Sequence, residues 1–148
     1  MMLTATAPGA VTTSWQPPLG RYLITRTFDF AAAHHLVGMP EGHKCARNHG
    51  HTWTVEVTLS STRLVGPGWV ADFADLKDLG GFIGDTLDHR DLNEVLPASP
   101  TSELLAAFLA DWCIRNLEGP LGATLESIVV SEGGANRVEF VPDRSRTR

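Results

Sequence analysis

The order of apolar and polar positions divides the chain into four extended segments and two helical ones. From Tyr22 to Ala33 the pattern has a period of two. Tyr22, Ile24, Phe28, Phe30 and Ala32 share one face, with Arg26 the exception, and Leu23, Thr25, Thr27 and Asp29 share the other. His34 continues the apolar face. A second strand is expected from about His51 to Ser60, with Trp53, Val55, Val57 and Leu59 on one side and Thr52, Thr54, Glu56 and Thr58 on the other. His49 and His51 share the parity of the apolar set.

After the Gly66-Pro67-Gly68 turn, Asp72 can cap a helix through about Leu87, with Gly80-Gly81 inviting a break or bend in its middle. Leu92 to Ser99 reads as a loop. A second helix opens at Pro100-Thr101 and runs to about Leu117. Leu104, Leu105, Phe108, Leu109 and Trp112 fall at helical spacing. Leu125–Glu132 and Arg137–Val141 are the last two strands. Strand, strand, helix, helix, strand, strand predicts an α+β fold: a four-stranded antiparallel sheet with two helices on one face. Residues 1–19, rich in Ala, Thr and Pro, read as a flexible leader, 20–142 as a single domain, and 143–148 as a flexible tail.

Composition narrows the function. The 148 residues, 43% hydrophobic and 20% charged, suit one globular domain. A net charge of -5 argues against a nucleic-acid partner. No apolar run is long enough to cross a membrane. Two cysteines, Cys45 and Cys113, do not make a disulfide framework, so a cytoplasmic protein with reduced thiols is expected.

The chemistry gathers around His49-Gly50-His51. In an extended segment, residues two apart point the same way, so both imidazoles can reach one ion. If the first two strands pair as a hairpin, His34 arrives at the same end. Three neutral imidazoles suit zinc and leave a fourth position open. A register slip of one residue would separate them, and His35 or His43 could serve instead. Cys45 can be read as a fourth ligand or as a thiolate base beside the metal. Cys113, between Trp112 and Ile114 on a helix, reads as a buried inert thiol. Asp88-His89 is either an acid–base pair or a solvated helix end. Glu132 is either a carboxylate that grips a flat heterocycle or an ordinary strand-end charge. For Glu103 the helix dipole is a sufficient reason.

Taken together, Phe28-Asp-Phe-Ala-Ala-Ala-His34, Cys45-Ala-Arg-Asn-His49-Gly-His51, Asp72-Phe73, Leu87-Asp88-His89, Pro100-Thr-Ser-Glu103 and Ser131-Glu132 resemble the 6-pyruvoyltetrahydropterin and 6-carboxytetrahydropterin synthase family. The three residues between Cys45 and His49, and Glu41-Gly-His-Lys-Cys45, are similar to the queuosine-pathway 6-carboxytetrahydropterin branch. His35 departs from the arginine common in relatives, and Ala31 from an acidic residue or serine.

The resemblance implies a T-fold whose sheets join into barrels in a homo-oligomer, a hexamer built as a dimer of trimers. It implies zinc on His34, His49 and His51, and a catalytic group of Cys45, Asp88 and His89 assembled at a subunit interface. It also implies a pterin anchor at Glu132, helped by Thr101 and Glu103. The implied activity is a lyase acting on 7,8-dihydroneopterin triphosphate. Its product would be 6-carboxytetrahydropterin with acetaldehyde and triphosphate released, or 6-pyruvoyltetrahydropterin without side-chain cleavage. A zinc or pterin-binding module without turnover is the non-enzymatic rival. Lys44, Arg47 and Arg90 are candidates for the triphosphate, by their charge near the motifs.

Overall fold

The computed structural model describes residues 15–145. Of the expected leader, 1–14 lie outside the described residues, and 15–19 form neither helix nor strand. Strand β1, Tyr22–His34, pairs antiparallel with β2, His49–Ser61. β2 pairs with β4, Thr124–Glu132, and β4 with β5, Asn136–Phe140, both antiparallel.

The sheet has five strands rather than the expected four, in the order β3-β1-β2-β4-β5, and it is mixed rather than antiparallel. The additional strand, β3, is the two-residue stretch Arg90–Asp91, parallel to β1 at Ala32 and Ala33. No alternation can be read over two residues. The local cause is His89, the only non-glycine with positive φ (56°) among the described residues. It turns the chain out of the preceding helix and donates its backbone N–H to the Ala31 carbonyl at 2.6 Å.

Helices α1, Lys77–Thr86, and α3, Ser102–Asn116, pack on the face that carries Trp53, Val55, Val57 and Leu59, all with no solvent exposure. Thr54, Glu56 and Thr58 on the opposite face are half-buried. Asp72 caps a 3-10 turn, Phe73–Leu76, that leads into α1, through its bond to the Ala74 N–H at 2.9 Å. Two single-turn helices complete the set. α2, Leu92–Val95, lies where a loop is expected, and α4, Glu118–Leu121, follows α3. The start of the expected tail is tied down: Arg144 pairs with Glu118 and donates to the Leu125 carbonyl at 2.9 Å.

Gly80-Gly81 does not break α1. A Cβ at Gly80 would lie 2.9 Å from Cε1 of Phe28, so the helix approaches β1 closely there. A Cβ at Gly81 meets nothing within 4 Å among the described residues. Gly81→Ala should therefore stabilise the protein by up to about 1 kcal/mol through helix propensity. Gly80→Ala should lose that gain to overpacking of about 1–3 kcal/mol. Paired denaturant titrations of the two variants check the difference.

Candidate active site

The β1–β2 register sets His34 directly opposite His49 and Ala32 opposite His51, so no slip separates the three imidazoles. His34 is buried, and His49 and His51 are half-buried. Their candidate ligand atoms all lie within 4.8 Å of one another, and neither His35 nor His43 belongs to the cluster. Those two are engaged elsewhere. The His35 backbone amide is held by Asn93 at 2.9 Å, and His43 Nδ1 accepts the Cys45 N–H at 3.1 Å.

Backbone carbonyls fix two of the three rings. His34 Nδ1 lies 2.7 Å from the Pro100 carbonyl and His49 Nδ1 2.7 Å from that of Arg47. A carbonyl only accepts, so each Nδ1 carries the proton and each Nε2 presents a lone pair. Nε2 of His34 and of His51 are buried with no hydrogen-bond partner among the described residues. A buried polar atom without a partner is costly. Converging lone pairs on such atoms are what a metal ion would satisfy, so the residues present fit one.

Burial is the largest cause holding His51 below its ordinary pKa. Glu132 pulls it up, and His34 and His49 push it further down. A histidine whose folded pKa is lowered contributes stability that is present above the unfolded value and lost as pH falls through the folded one. Protonation also removes a ligand lone pair. Metal affinity should thus hold near neutrality and fall as pH drops below the ordinary imidazole value, as binding isotherms across pH would show.

The cluster opens on a cavity of about 570 Å³ lined by His34, His49, His51, Cys45 and Glu132, with Lys44, Arg47, Asn48 and Asn136 among its other walls. Cys45 is half-buried on the 3-10 turn Lys44–Ala46, and the Leu36 N–H donates to its carbonyl at 2.8 Å, which ties the turn to the end of β1. Its sulfur is not among the clustered ligand atoms. Glu132 stands opposite Trp53 on β2, beside His51. One of its oxygens accepts from Ser102 Oγ at 2.5 Å, and the other lies 3.9 Å from His51 Nε2.

Asp88 and His89 pair with each other at 3.0 Å but do not line this cavity. The Ala31 N–H, 2.9 Å away, is the main cause holding the Asp88 carboxyl below its usual range, with His89 adding to it. The His89 side chain is 83% exposed. Thr101 caps α3 through the Leu104 N–H at 3.2 Å, and Glu103 is exposed in its first turn; neither lines the cavity. Lys44 and Arg47 line it, while Arg90 lies in β3, away from it.

The sequence pattern does not single out Ser102, which holds Glu132, or Pro100, which orients His34. Both act across folded contacts, with Ser102 and Glu132 30 residues apart. Cys113 is fully buried in α3, and burial pushes its thiol up to about 12, so it is inert.

Fold and site together define an α+β protein with a three-histidine cluster that can hold a metal at one end of its sheet, facing a carboxylate across a cavity. Residues 23–143 match the model of the 6-pyruvoyl tetrahydropterin synthase family, and the chain belongs to that family. It is 39% identical over 129 residues to the 6-carboxy-5,6,7,8-tetrahydropterin synthase of Synechocystis sp., covering 83% of this chain and 95% of that protein. It is 31% identical over 120 residues to the dihydroneopterin monophosphate aldolase of Pyrococcus furiosus, covering 81% and 96%. The Caenorhabditis elegans 6-pyruvoyl tetrahydropterin synthase shares the fold, with a TM-score of 0.73 at 23% identity over 86% of this chain and all of that one. No helix among the described residues is long and apolar enough to cross a membrane.

Proposed function

We propose that the protein is a cytoplasmic, zinc-dependent lyase of the queuosine pathway. It would convert 7,8-dihydroneopterin triphosphate and one water to 6-carboxy-5,6,7,8-tetrahydropterin, acetaldehyde and triphosphate. The observation that carries this reading is the convergence of His34, His49 and His51 on the same cavity as Cys45 and Glu132. A structural zinc site would enlist the thiol as a ligand. Here the sulfur stands apart from the imidazole cluster, and the three histidines leave a position for substrate.

Zinc, when bound by the three histidines, supplies Lewis acidity toward the hydroxyls of the substrate side chain. Glu132 accepts parallel N–H bonds from the pyrimidine edge of the pterin and fixes the ring. Cys45, as thiolate, removes a proton from the side chain. Lys44, its chain neighbour, and Arg47, two residues on, offer cationic contacts for the triphosphate at the cavity wall. Thr101 supports the anchor from the cap of α3, and Glu103 is a less direct helper in the same turn.

Asp88 and His89 relay protons, and they do so in a neighbouring subunit's cavity. His89 is exposed and outside its own chain's cavity, and among the described residues β1 is paired on its outer edge only at Ala32 and Ala33. An oligomer that joins sheets at such edges into barrels, as a dimer of trimers, would bring the pair to a partner's site.

The family's name and the name of one relative point to two other outcomes on the same scaffold. One is 6-pyruvoyltetrahydropterin formation, with triphosphate eliminated and the side chain intact. The other is aldol cleavage, as the name of the Pyrococcus furiosus relative describes. Titration of the metal-free protein tests the zinc requirement. Consumption of dihydroneopterin triphosphate should rise in proportion to zinc and level off at one ion per chain. Full consumption by metal-free protein would overturn the reading.

A further inference from the structure

The turn at the start of α3 touches the site twice. The Pro100 carbonyl orients His34, and two residues later Ser102 Oγ donates to one oxygen of Glu132 at 2.5 Å. The other Glu132 oxygen sits 3.9 Å from His51 Nε2, an atom with no hydrogen-bond partner among the described residues. Two ligand atoms on one tetrahedral zinc lie about 3.3 Å apart, given bonds of about 2.0–2.1 Å. The Glu132 oxygen stands from His51 Nε2 only slightly beyond that spacing, and a carboxylate is a competent zinc ligand. Among the described residues, the only hydrogen bond to the Glu132 side chain comes from Ser102.

We infer that Ser102 is a positioning residue that holds Glu132 off the metal, keeping the fourth coordination position open and the carboxylate free for the pterin. The inference rests on the reading that His34, His49 and His51 are the ligands. The same short turn would then set both the metal and the anchor, so their spacing is fixed by one rigid piece of backbone. Without the serine hydroxyl, the freed carboxylate gains most by closing onto the cation. Loss of a group that orients a metal ligand ordinarily weakens metal binding; here its loss should strengthen it.

The test uses cobalt(II) as the probe metal and azide as the exogenous ligand, on the full chain without substrate. In the wild-type protein cobalt should bind and its visible spectrum should respond to azide. Ser102→Ala should bind cobalt about tenfold more tightly, a gain of one decade in Kd, and lose the azide response. Ser102→Thr should behave as wild type, and Ser102→Ala combined with Glu132→Gln should regain wild-type affinity and azide response. Affinity in Ser102→Ala that is unchanged or weaker would overturn the inference. So would tighter binding that persists when Glu132 is also replaced. Wild-type cobalt binding that survives His51→Ala would overturn the ligand reading beneath it. Because the spectrum is read without substrate, failure of the proposed reaction would show separately, in turnover.

Discussion

His51→Ala is expected to lower zinc affinity more than about 100-fold and to abolish turnover, while the protein stays folded. Removing a group that merely orients a ligand costs roughly 10–100-fold in affinity, so removing a ligand must cost more. His51 suits the test better than His34. His34 is buried and held by the Pro100 carbonyl, so its loss would also disturb the core. His51 is half-buried at the cavity, and its lowered pKa leaves it neutral and ready to bind at neutral pH. Metal analysis after dialysis reads the effect, with circular dichroism confirming the fold. A variant that retains one zinc per chain would remove His51 from the ligand set.

Cys45→Ala is expected to lower kcat by about 10²–10⁴-fold, the range for losing a positioned proton-transfer group, with zinc retained in full. That combination separates the two roles open to the thiol in the sequence. A ligand would take metal with it when removed, and a base would not. Its half-buried place on the cavity wall, outside the imidazole cluster, favours the base. Metal content and single-turnover rates measured on one preparation make the distinction. Full turnover with zinc bound would remove Cys45 from the chemistry, and loss of zinc would make it a ligand.

Much of the histidine cluster was legible because a strand's period is short and strict. The parity of His49 and His51 with Trp53, and of His34 with Phe30, placed all three on the core face before any register was known. What parity could not supply was the register itself, and the observed pairing of His34 with His49 supplies it. Gly80 was legible as unusual but not as necessary. Its reason is the Phe28 ring, contributed by a strand some fifty residues earlier. The fifth strand, Arg90–Asp91, was illegible because two residues carry no pattern and their pairing depends on the left-handed turn at His89. Ser102 stood inside a recognised motif, yet its partner lies on β4, so nothing local pointed to it. Asp88 and His89 were legible as neighbours in a motif, either an acid–base pair or a solvated helix end, and their side chains lie 3.0 Å apart. Their separation from the chain's own cavity follows from tertiary placement, which local spacing does not encode.

The most direct measurement is product identification after zinc-loaded protein acts on 7,8-dihydroneopterin triphosphate. One acetaldehyde and one triphosphate should appear for each 6-carboxytetrahydropterin formed. Triphosphate release with 6-pyruvoyltetrahydropterin and no acetaldehyde would contradict side-chain cleavage. A substrate left unconsumed by fully zinc-loaded protein would contradict catalysis at this site altogether.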